Sequence, residues 1–510
     1  MSQNRKKNKI SGYNRKGFKN SGYSESGASL AKNVLKSWLP QHFSAVSDID
    51  FNLATLRNRS YSLAIGSPIG AAVIKTFVSG VVNEGLKVFP RINHTALNLS
   101  IDEARSWEEK TKQEFELWSE TVECDFYRRN TFRELQRIAF TNQLVDGDCI
   151  CLYRRKISST PNPYTLRLQL IEAGRISNPQ EGGATFQNVD TMRGKNRIVN
   201  GIEVDGEGIF KAFWISNKIF NEFNTSKVTT EWRRIKFFGE KSGEQNLCFL
   251  CNDSRIEQFR GEPLLSPVIE IIKNILRYTD AELTSAILKT YLSIFFTTPL
   301  ERNYGINDIL STEQVDIKNV KIGPGTLTNL PPGVSVETVH PAGAASTFES
   351  FTVQLLKQVG AALNLPYEVL LKNFQSSYSA SKAALLQAEN EFRMRRQAFV
   401  VDFCEPIYRA FLTEAVALGR IDAPGFFEDP MLKKLWCNAD FNNETSHALD
   451  SAKEIQAAEK KIALGLSTYT RESSILNGTD FAENLKQLAK EKRLLQEFLG
   501  ENLDKEETAT

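Results

Sequence analysis

The sequence predicts a helix-rich α+β fold, on three observations. A chain of 510 residues exceeds a single compact core and should divide into cooperating domains. The stretch from Cys149 to Phe249 alternates, or runs β-branched and aromatic, between Gly, Asn and Asp turns, which is strand patterning. On both sides of it, apolar residues recur at helical intervals.

Residues 1 to 23 hold Arg5, Lys6, Lys7, Lys9, Arg15, Lys16 and Lys19 and no acid, leaving 56 basic against 61 acidic side chains, a net of −5, in the remainder. The tail to about residue 40, rich in Asn, Gly and Ser, offers too little apolar area to fold alone and is expected to be disordered. Its cations, interleaved with Tyr13, Phe18 and Tyr23, suit nonspecific DNA or partner contact; a simply solvated tail has the same composition.

From Phe51 to Pro90 the pattern predicts a helix, a turn and then a strand-like run, KTFVSGVVNEGLKVFPRI, punctuated by Gly80 and Gly85. Ile101 to Trp118 predicts an amphipathic helix with Ala104, Trp107, Phe115 and Trp118 near helical spacing. Thr131 to Leu144 predicts another, capped by Asn130. Strand candidates CICLYRR, LRLQLIE, GIEVDGEGIFKAFWI and WRRIKFF follow.

Ser266 is then an N-cap candidate, with Pro267 in the first turn, for a helix without a breaker until Pro299. About 30 residues at 1.5 Å each give a rod of roughly 45 Å. Residues 300 to 345 are turn-rich around short strand candidates VKIG and VSVETV. The helix resumes at Ser346, where Ser346 and Glu349 have capping-box spacing and Phe348, Phe351, Leu355, Val359 and Ala362 form a stripe up to Pro366. Tyr367 to Asn373 predicts a short helical turn, Phe374 to Ser379 a polar segment, and Ala380 to about Ala417 a long helix with Leu385, Phe392, Phe399 and Phe403 on one face. The remainder reads as helical, broken at Gly465, and ends in the polar DKEETAT.

Several classes of chemistry lack their residues. No GxxxxGK[ST] phosphate loop occurs, and Gly239 to Ser242 lacks its glycine spacing. The four histidines, His42, His94, His340 and His447, are scattered, and Cys248 and Cys251 form one CxxC inside a strand-like LCFLC, so buried thiols are expected and no metal site. GYSES at Gly22 lacks the last glycine of a nucleophile elbow. Asp146 and Asp148 flank Gly147 and read as solvated turn carboxylates rather than a catalytic pair. Neither enzyme activity nor a cofactor is implied. Seven cysteines without a disulfide framework, and no leader-like start, point to synthesis in a reducing cytoplasm. The most apolar segment, Leu264 to Phe296, is interrupted by Glu270, Lys273, Arg277, Asp280, Glu282 and Lys289, where a bilayer span needs ~20 mostly apolar residues, so no membrane association is expected.

The order of elements, with LIEAGRISNP (170–179), EQFRGEPLLSPVIE (257–270), LPPGVSVETV (330–339), NLPYEVLLKNFQSSYSASKAAL (364–385) and GLSTYTRE (465–472), resembles the lambda-like family of tailed-phage portal proteins from about residue 50 to about 480. The resemblance implies a portal architecture: a ring, typically of twelve subunits, at one capsid vertex of the virion, assembled in the host cytoplasm. It further implies double-stranded DNA passing without sequence specificity, and docking of the large terminase subunit, the major capsid or scaffolding protein and a head-tail adaptor.

In family terms, 41–262 is the wing, 263–298 and 346–366 the two stem helices, 299–345 the clip, 367–381 the tunnel-loop region, 382–420 the long wing helix and 421–500 a helical crown. Residues 501–510 are expected to form a second disordered tail. Phe374, Gln375, Ser376, Ser377, Tyr378 and Ser379 would face DNA, and neutral hydroxyl and amide groups there would touch phosphates without gripping them. Val320, Lys321, Leu330, Pro331, Pro332 and Val336 of the clip would meet terminase and adaptor. Two competing classes remain at this point: a nucleic-acid enzyme such as a metal-dependent nuclease, and an adaptor that binds only capsid or tail proteins.

Overall fold

A computed structural model describes residues 29, 32–156, 162–179, 191–219, 230–290, 294–297, 335–338, 345–374, 377–442, 451–477, 479 and 481–499. Helices α1 (Ala45–Gly66) and α2 (Pro68–Val81) meet at 93° around Ser67, whose hydroxyl accepts the Gly70 amide while Pro68 fills the first turn. The strand-like reading of Lys75 to Val81 is thereby corrected. Val73, Ile74, Phe77 and Val81 are buried along one helical face, and β-branched composition misled where the Ser-Pro start signal should have prevailed. The strand begins later, at β1 (Lys87–Pro90).

Helix α3 (Ile101–Ser119) opens on a capping box between Ser100 and Glu103. Helix α4 (Phe132–Asp146) starts at Thr131, whose amide is accepted by the Glu134 carboxylate at 2.7 Å. Thr131, not Asn130, is therefore the cap, because only Thr131 has an acid three residues on.

The β-rich module comprises β2 (Asp148–Arg155), β3 (Leu166–Glu172), β4 (Thr191–Arg193), β5 (Asn196–Val199), β6 (Ile202–Val204), β7 (Phe210–Ser216), β8 (Trp232–Lys236) and β9 (Leu247–Cys251). They build two antiparallel sheets, ordered β3-β2-β9 and β4-β5-β6-β7-β8. Strand β2 is buried on both faces, and its period of two decides what each face meets. Cys149 and Cys151, with Cys248 and Leu250 of β9, join the main helical core, whereas Ile150, Leu152 and Leu247 pack with Ile202, Val204, Phe213 and Ile215 in a second core. The CxxC cysteines are thus strand residues, as expected, and all seven thiols are free.

A 3₁₀ turn, Ser266–Val268, leads into α5 (Ile269–Thr290), a helix of 22 residues and not about 30. The chain then forms β10 (Ile294–Thr297), antiparallel to β11 (Ser335–Thr338) with Ile294 opposite Thr338. The run IFFT is β-branched and aromatic, and VSVETV supplies its partner strand, so pairing prevails over continuing the helix. VKIG and the rest of the turn-rich insertion lie outside the described residues.

Helices α6 (Ala345–Ala362), α7 (Tyr367–Leu371), α8 (Tyr378–Phe399) and α9 (Glu405–Ala417) follow, the last two continuous through one π turn, Val400–Cys404. The π turn lies just before Pro406, which has no amide to donate to a carbonyl one turn back. Along α6, Val359 is buried with Leu356 and Leu363, while Ala362 is exposed.

Residues 421–442 depart from the expected helical end. Helix α10 (Pro430–Trp436) precedes β12 (Ala439–Asn442), which pairs antiparallel with β1 (Val88 opposite Phe441), and Ile421, Phe426, Trp436 and Phe441 belong to the main core. Their apolar side chains serve the α3–α9 layer, where Phe115, Trp118 and Phe411 meet at 5.1 to 5.6 Å. Only α11 (Ser451–Ala463), α12 (Tyr469–Asn477) and α13 (Phe481–Leu499) form the helical end, with the expected break at Gly465. Among the described residues no single helix is long and apolar enough to cross a membrane.

Candidate functional site

Two features stand out in the geometry: the loop between α7 and α8, and a buried charge cluster where two sequence motifs meet. The loop is held at both ends. Val369 and Leu370 of α7 are buried in the main core, and Lys372, in the left-handed region at φ 54°, ends the helix. At the other end the Ser377 hydroxyl accepts the Ala380 amide and caps α8. Between these anchors Phe374 is 43% exposed, and Tyr378, in the first turn of α8, is 53% exposed.

Helix α8 is fixed against α2 by a close approach. Gly80 lies so near Phe392 that a Cβ there would fall 2.5 Å from the ring, and Phe77 meets Phe392 edge-on at 5.7 Å. Arg396 donates to the carbonyls of Gly80 at 2.6 Å and Val81 at 3.0 Å, capping the C-terminus of α2. One turn earlier, Glu391 is buried and accepts from Arg395 at 2.6 Å and from Asn364, in the α6–α7 turn, at 3.4 Å. The loop is therefore displayed on a frame of α2, α6, α7 and α8.

The sequence reading placed the polar segment across Phe374 to Ser379. Tyr378 and Ser379 are instead in the first turn of α8, because Ser377 is the N-cap. This shortens the loop to Asn373–Ser377, of which Gln375 and Ser376 lie outside the described residues. Also outside them are Arg5, Lys6, Lys7, Lys9, Arg15, Lys16 and Lys19 of the tail, and Val320, Lys321, Leu330, Pro331 and Pro332 of the insertion. Val336 is described, in β11 opposite Phe296.

The charge cluster overturns one expectation. Asp148 is fully buried at the head of β2, not a solvated turn carboxylate. Arg260 donates to both its oxygens, at 2.7 and 3.0 Å, Arg57 of α1 donates at 2.8 Å, and the Gly261 amide at 3.0 Å. Arg260 spends its remaining donors on the carbonyls of Ala173, Ile176 and Asn200. A charge at the start of the apolar run DCICL must find a partner, and that requirement was the sequence signal for a buried ion pair.

Burial pushes the Asp148 carboxyl up, yet the guanidiniums of Arg260 and Arg57 outweigh it and hold the group below its ordinary range. Asp146 next door is pushed up to about 6, chiefly by burial, with Arg57 opposing and Asp148 adding to the rise. Burial lowers Arg57 to about 10. Every donor of Arg260 is committed to the chain itself, and with Arg57 the arrangement joins α1, β2 and the 257–270 segment. A cleft of about 1310 Å³ beside it carries both signs of charge, with Lys75, Arg137, Asp146 and Glu172 among its lining. Among the described residues no group of three or more His, Cys, Asp or Glu side chains could hold a metal ion.

Residues 32–396 match the sequence model of the family described as phage portal protein, lambda family. Portal protein B of Escherichia phage lambda is 21% identical over 487 residues, covering 91% of this chain and 88% of that one. The portal protein of Escherichia phage N15 is 21% identical over 482 residues, covering 90% and 87% respectively. Among solved structures, a chain from the virion of a native gene transfer agent particle superposes with a TM-score of 0.43 at 11% identity, over 83% of this chain and 92% of that chain.

Proposed function

The chain belongs to the lambda family of phage portal proteins, and from that membership we propose that it forms the ring-shaped channel at one capsid vertex through which DNA is packaged and later ejected. Its function is that of a phage portal protein, in a family that is structural rather than enzymatic. The observation that carries the proposal is the family match across residues 32–396, which runs from before α1 into α8.

Physical features of the chain support a ring. Helices α5 and α6 pack through Tyr278 on Phe348 and Phe351, at 5.1 and 5.4 Å, yet Leu283, Ile287 and Phe351 remain about half exposed or more. On α13, Leu485, Leu488, Leu495 and Phe498 are likewise uncovered. A neighbouring subunit in a closed heterologous ring would cover such faces. In this reading α5 and α6 are the stem, the 299–345 insertion is the clip that docks the large terminase subunit and a head-tail adaptor, and the outer surface meets capsid or scaffolding protein.

The Asn373–Ser377 loop faces the DNA. Apart from Phe374 its side chains are neutral amides and hydroxyls, which make exchangeable phosphate contacts and release no counterions. The test is electron microscopy of the purified protein: rings with a central channel are expected, and protein that stays monomeric at high concentration and with scaffold present overturns the proposal.

A further inference from the structure

We infer that the cleft between β2 and β8, together with the cations around it, is a second nucleic-acid surface that grips the phosphate backbone of duplex DNA outside the channel. The cleft has a volume of about 430 Å³, with Arg154 on one wall and Arg233, Arg234 and Lys236 on the other. Arg234 is held by Glu203 at 2.7 Å and Lys236 by Glu240. Arg154 and Arg233 have no carboxylate partner among the described residues, and neither have their neighbours Lys156 and Arg175.

Arg154, Lys156 and Arg175 are positioned rather than loose. Arg154 donates to the Gln169 side chain at 2.8 Å and lies over the Phe126 ring at 5.7 Å, with Lys156 over the same ring at 5.9 Å. Gln169 in turn donates to the Tyr127 hydroxyl at 2.8 Å, and Arg175 is fixed by the Ser216 carbonyl at 2.9 Å. Burial, then crowding by Arg233 and Arg175, lowers the proton affinity of Arg154, so an added anion would relieve like-charge repulsion already present.

A body carrying a net −5 outside its first 23 residues has excess acid with which to neutralise four cations, yet among the described residues it leaves these together without a carboxylate partner. The partner that suits them has dense, regular negative charge. Duplex DNA offers about one charge per 1.7 Å, and guanidiniums laid on an aromatic ring meet phosphates with little further ordering. An acidic protein segment would also bring apolar side chains to bury, whereas the exposed large apolar residues next in sequence to the patch, Tyr127 and Phe238, are aromatic. This surface lies on the β-rich module and uses no residue of the α7–α8 loop, so it stands apart from the channel reading.

The test uses assembled, full-length protein and covalently closed circular duplex DNA, which cannot thread a channel. The variant Arg154→Gln/Lys156→Gln/Arg233→Gln should bind about tenfold more weakly at low salt, and its logarithmic salt slope should be shallower by about 2 to 3. The charge-keeping Arg154→Lys/Arg233→Lys should stay near the parent. The tail cations are present in every protein compared, so the difference reports the patch. If the triple variant fails to assemble, the single Arg233→Gln replaces it, with a slope change of about 1. Unchanged affinity and slope overturn the inference, as does poly-glutamate of matched charge displacing the DNA as effectively as duplex does. Packaging of linear DNA tests the channel separately, so the two readings can fail independently.

Discussion

Arg260 and Asp148 form a two-pronged ion pair with both side chains at or below 1% exposure, at Nε–Oδ2 2.7 Å and Nη2–Oδ1 3.0 Å. Gly261 brings the two segments together: a Cβ there would lie 1.9 Å from the Gly147 carbonyl oxygen, so no other residue fits. Removing one partner leaves an uncompensated buried charge, which costs about 3 to 5 kcal/mol. Arg260→Ala and Asp148→Ala should therefore abolish soluble folded protein or lower its thermal midpoint steeply. Arg260→Lys should rescue little, because an ammonium cannot serve Asp148 and three carbonyls from one plane. Wild-type stability in Arg260→Lys would contradict this.

A second prediction concerns the contact behind the loop. Gly80→Ala puts a methyl group 2.5 Å from the Phe392 ring, and overpacking of this kind costs about 1 to 3 kcal/mol. Phe392→Leu should recover part of that loss by making room, a coupling that a double-mutant cycle on denaturant midpoints would read. Additive effects would show that α2 and α8 do not meet there.

The pH dependence has a definite sign. Asp146 is pushed up to about 6 from 3.8, first by burial. Asp402, in the π turn, is also pushed up to about 6, by burial and then by Asp253. A carboxyl whose folded value is raised contributes stability that is full below its unfolded value and is lost as pH rises through the folded one. Both contributions should therefore fade between about pH 4 and pH 6. Asp146→Asn and Asp402→Asn should match the parent near pH 4 and melt higher than it at pH 7. Asp148 runs oppositely: its depressed value stabilises above the ordinary carboxylate range, and that stability is lost as pH falls through the lowered value. A melting profile in which the Asn variants gain nothing at pH 7 would count against the burial of these carboxyls.

Local patterning made much of this architecture legible. The spacing of Ala104, Phe115 and Trp118 carried α3, and the alternation in CICLYRR carried a strand buried on both faces. What escaped depended on distant partners or competing local signals. Asp148 finds Arg260 112 positions away, so the run DCICL signals that a partner is needed but nothing beside it says which. The last residues of the expected long helix, Ile294 to Thr297, become a strand only because Ser335–Thr338 pairs with them. Ser377 was legible and missed: a serine before a helix-forming run is a strong N-cap signal, and heeding it would have ended the loop two residues earlier. The five stretches that carried the resemblance were informative because two of them, 170–179 and 257–270, meet in space at Arg260.

The loop itself provides the last prediction, and the cap at Ser377 decides how to make it. Substituting Ser377 would remove a hydrogen bond to the Ala380 amide, and loss of a cap costs about 1 kcal/mol, so a phenotype there would mix helix fraying with DNA contact. Gln375 and Ser376 precede the cap and separate the two effects. If the loop meets moving DNA, Gln375→Arg/Ser376→Arg adds phosphate contacts in every subunit, and around a ring these sum to a brake that weakens as salt rises. Gln375→Ala/Ser376→Ala should package nearly as the parent does. A loop that does not meet the DNA gives no salt-dependent brake, and the arginine variant then packages as the parent does. The measurement is DNA packaging into heads carrying well-formed variant rings, at low and at high salt. Slow packaging by the arginine variant at low salt, recovering at high salt, is the expected result; normal packaging by it at low salt would remove the loop from the DNA path.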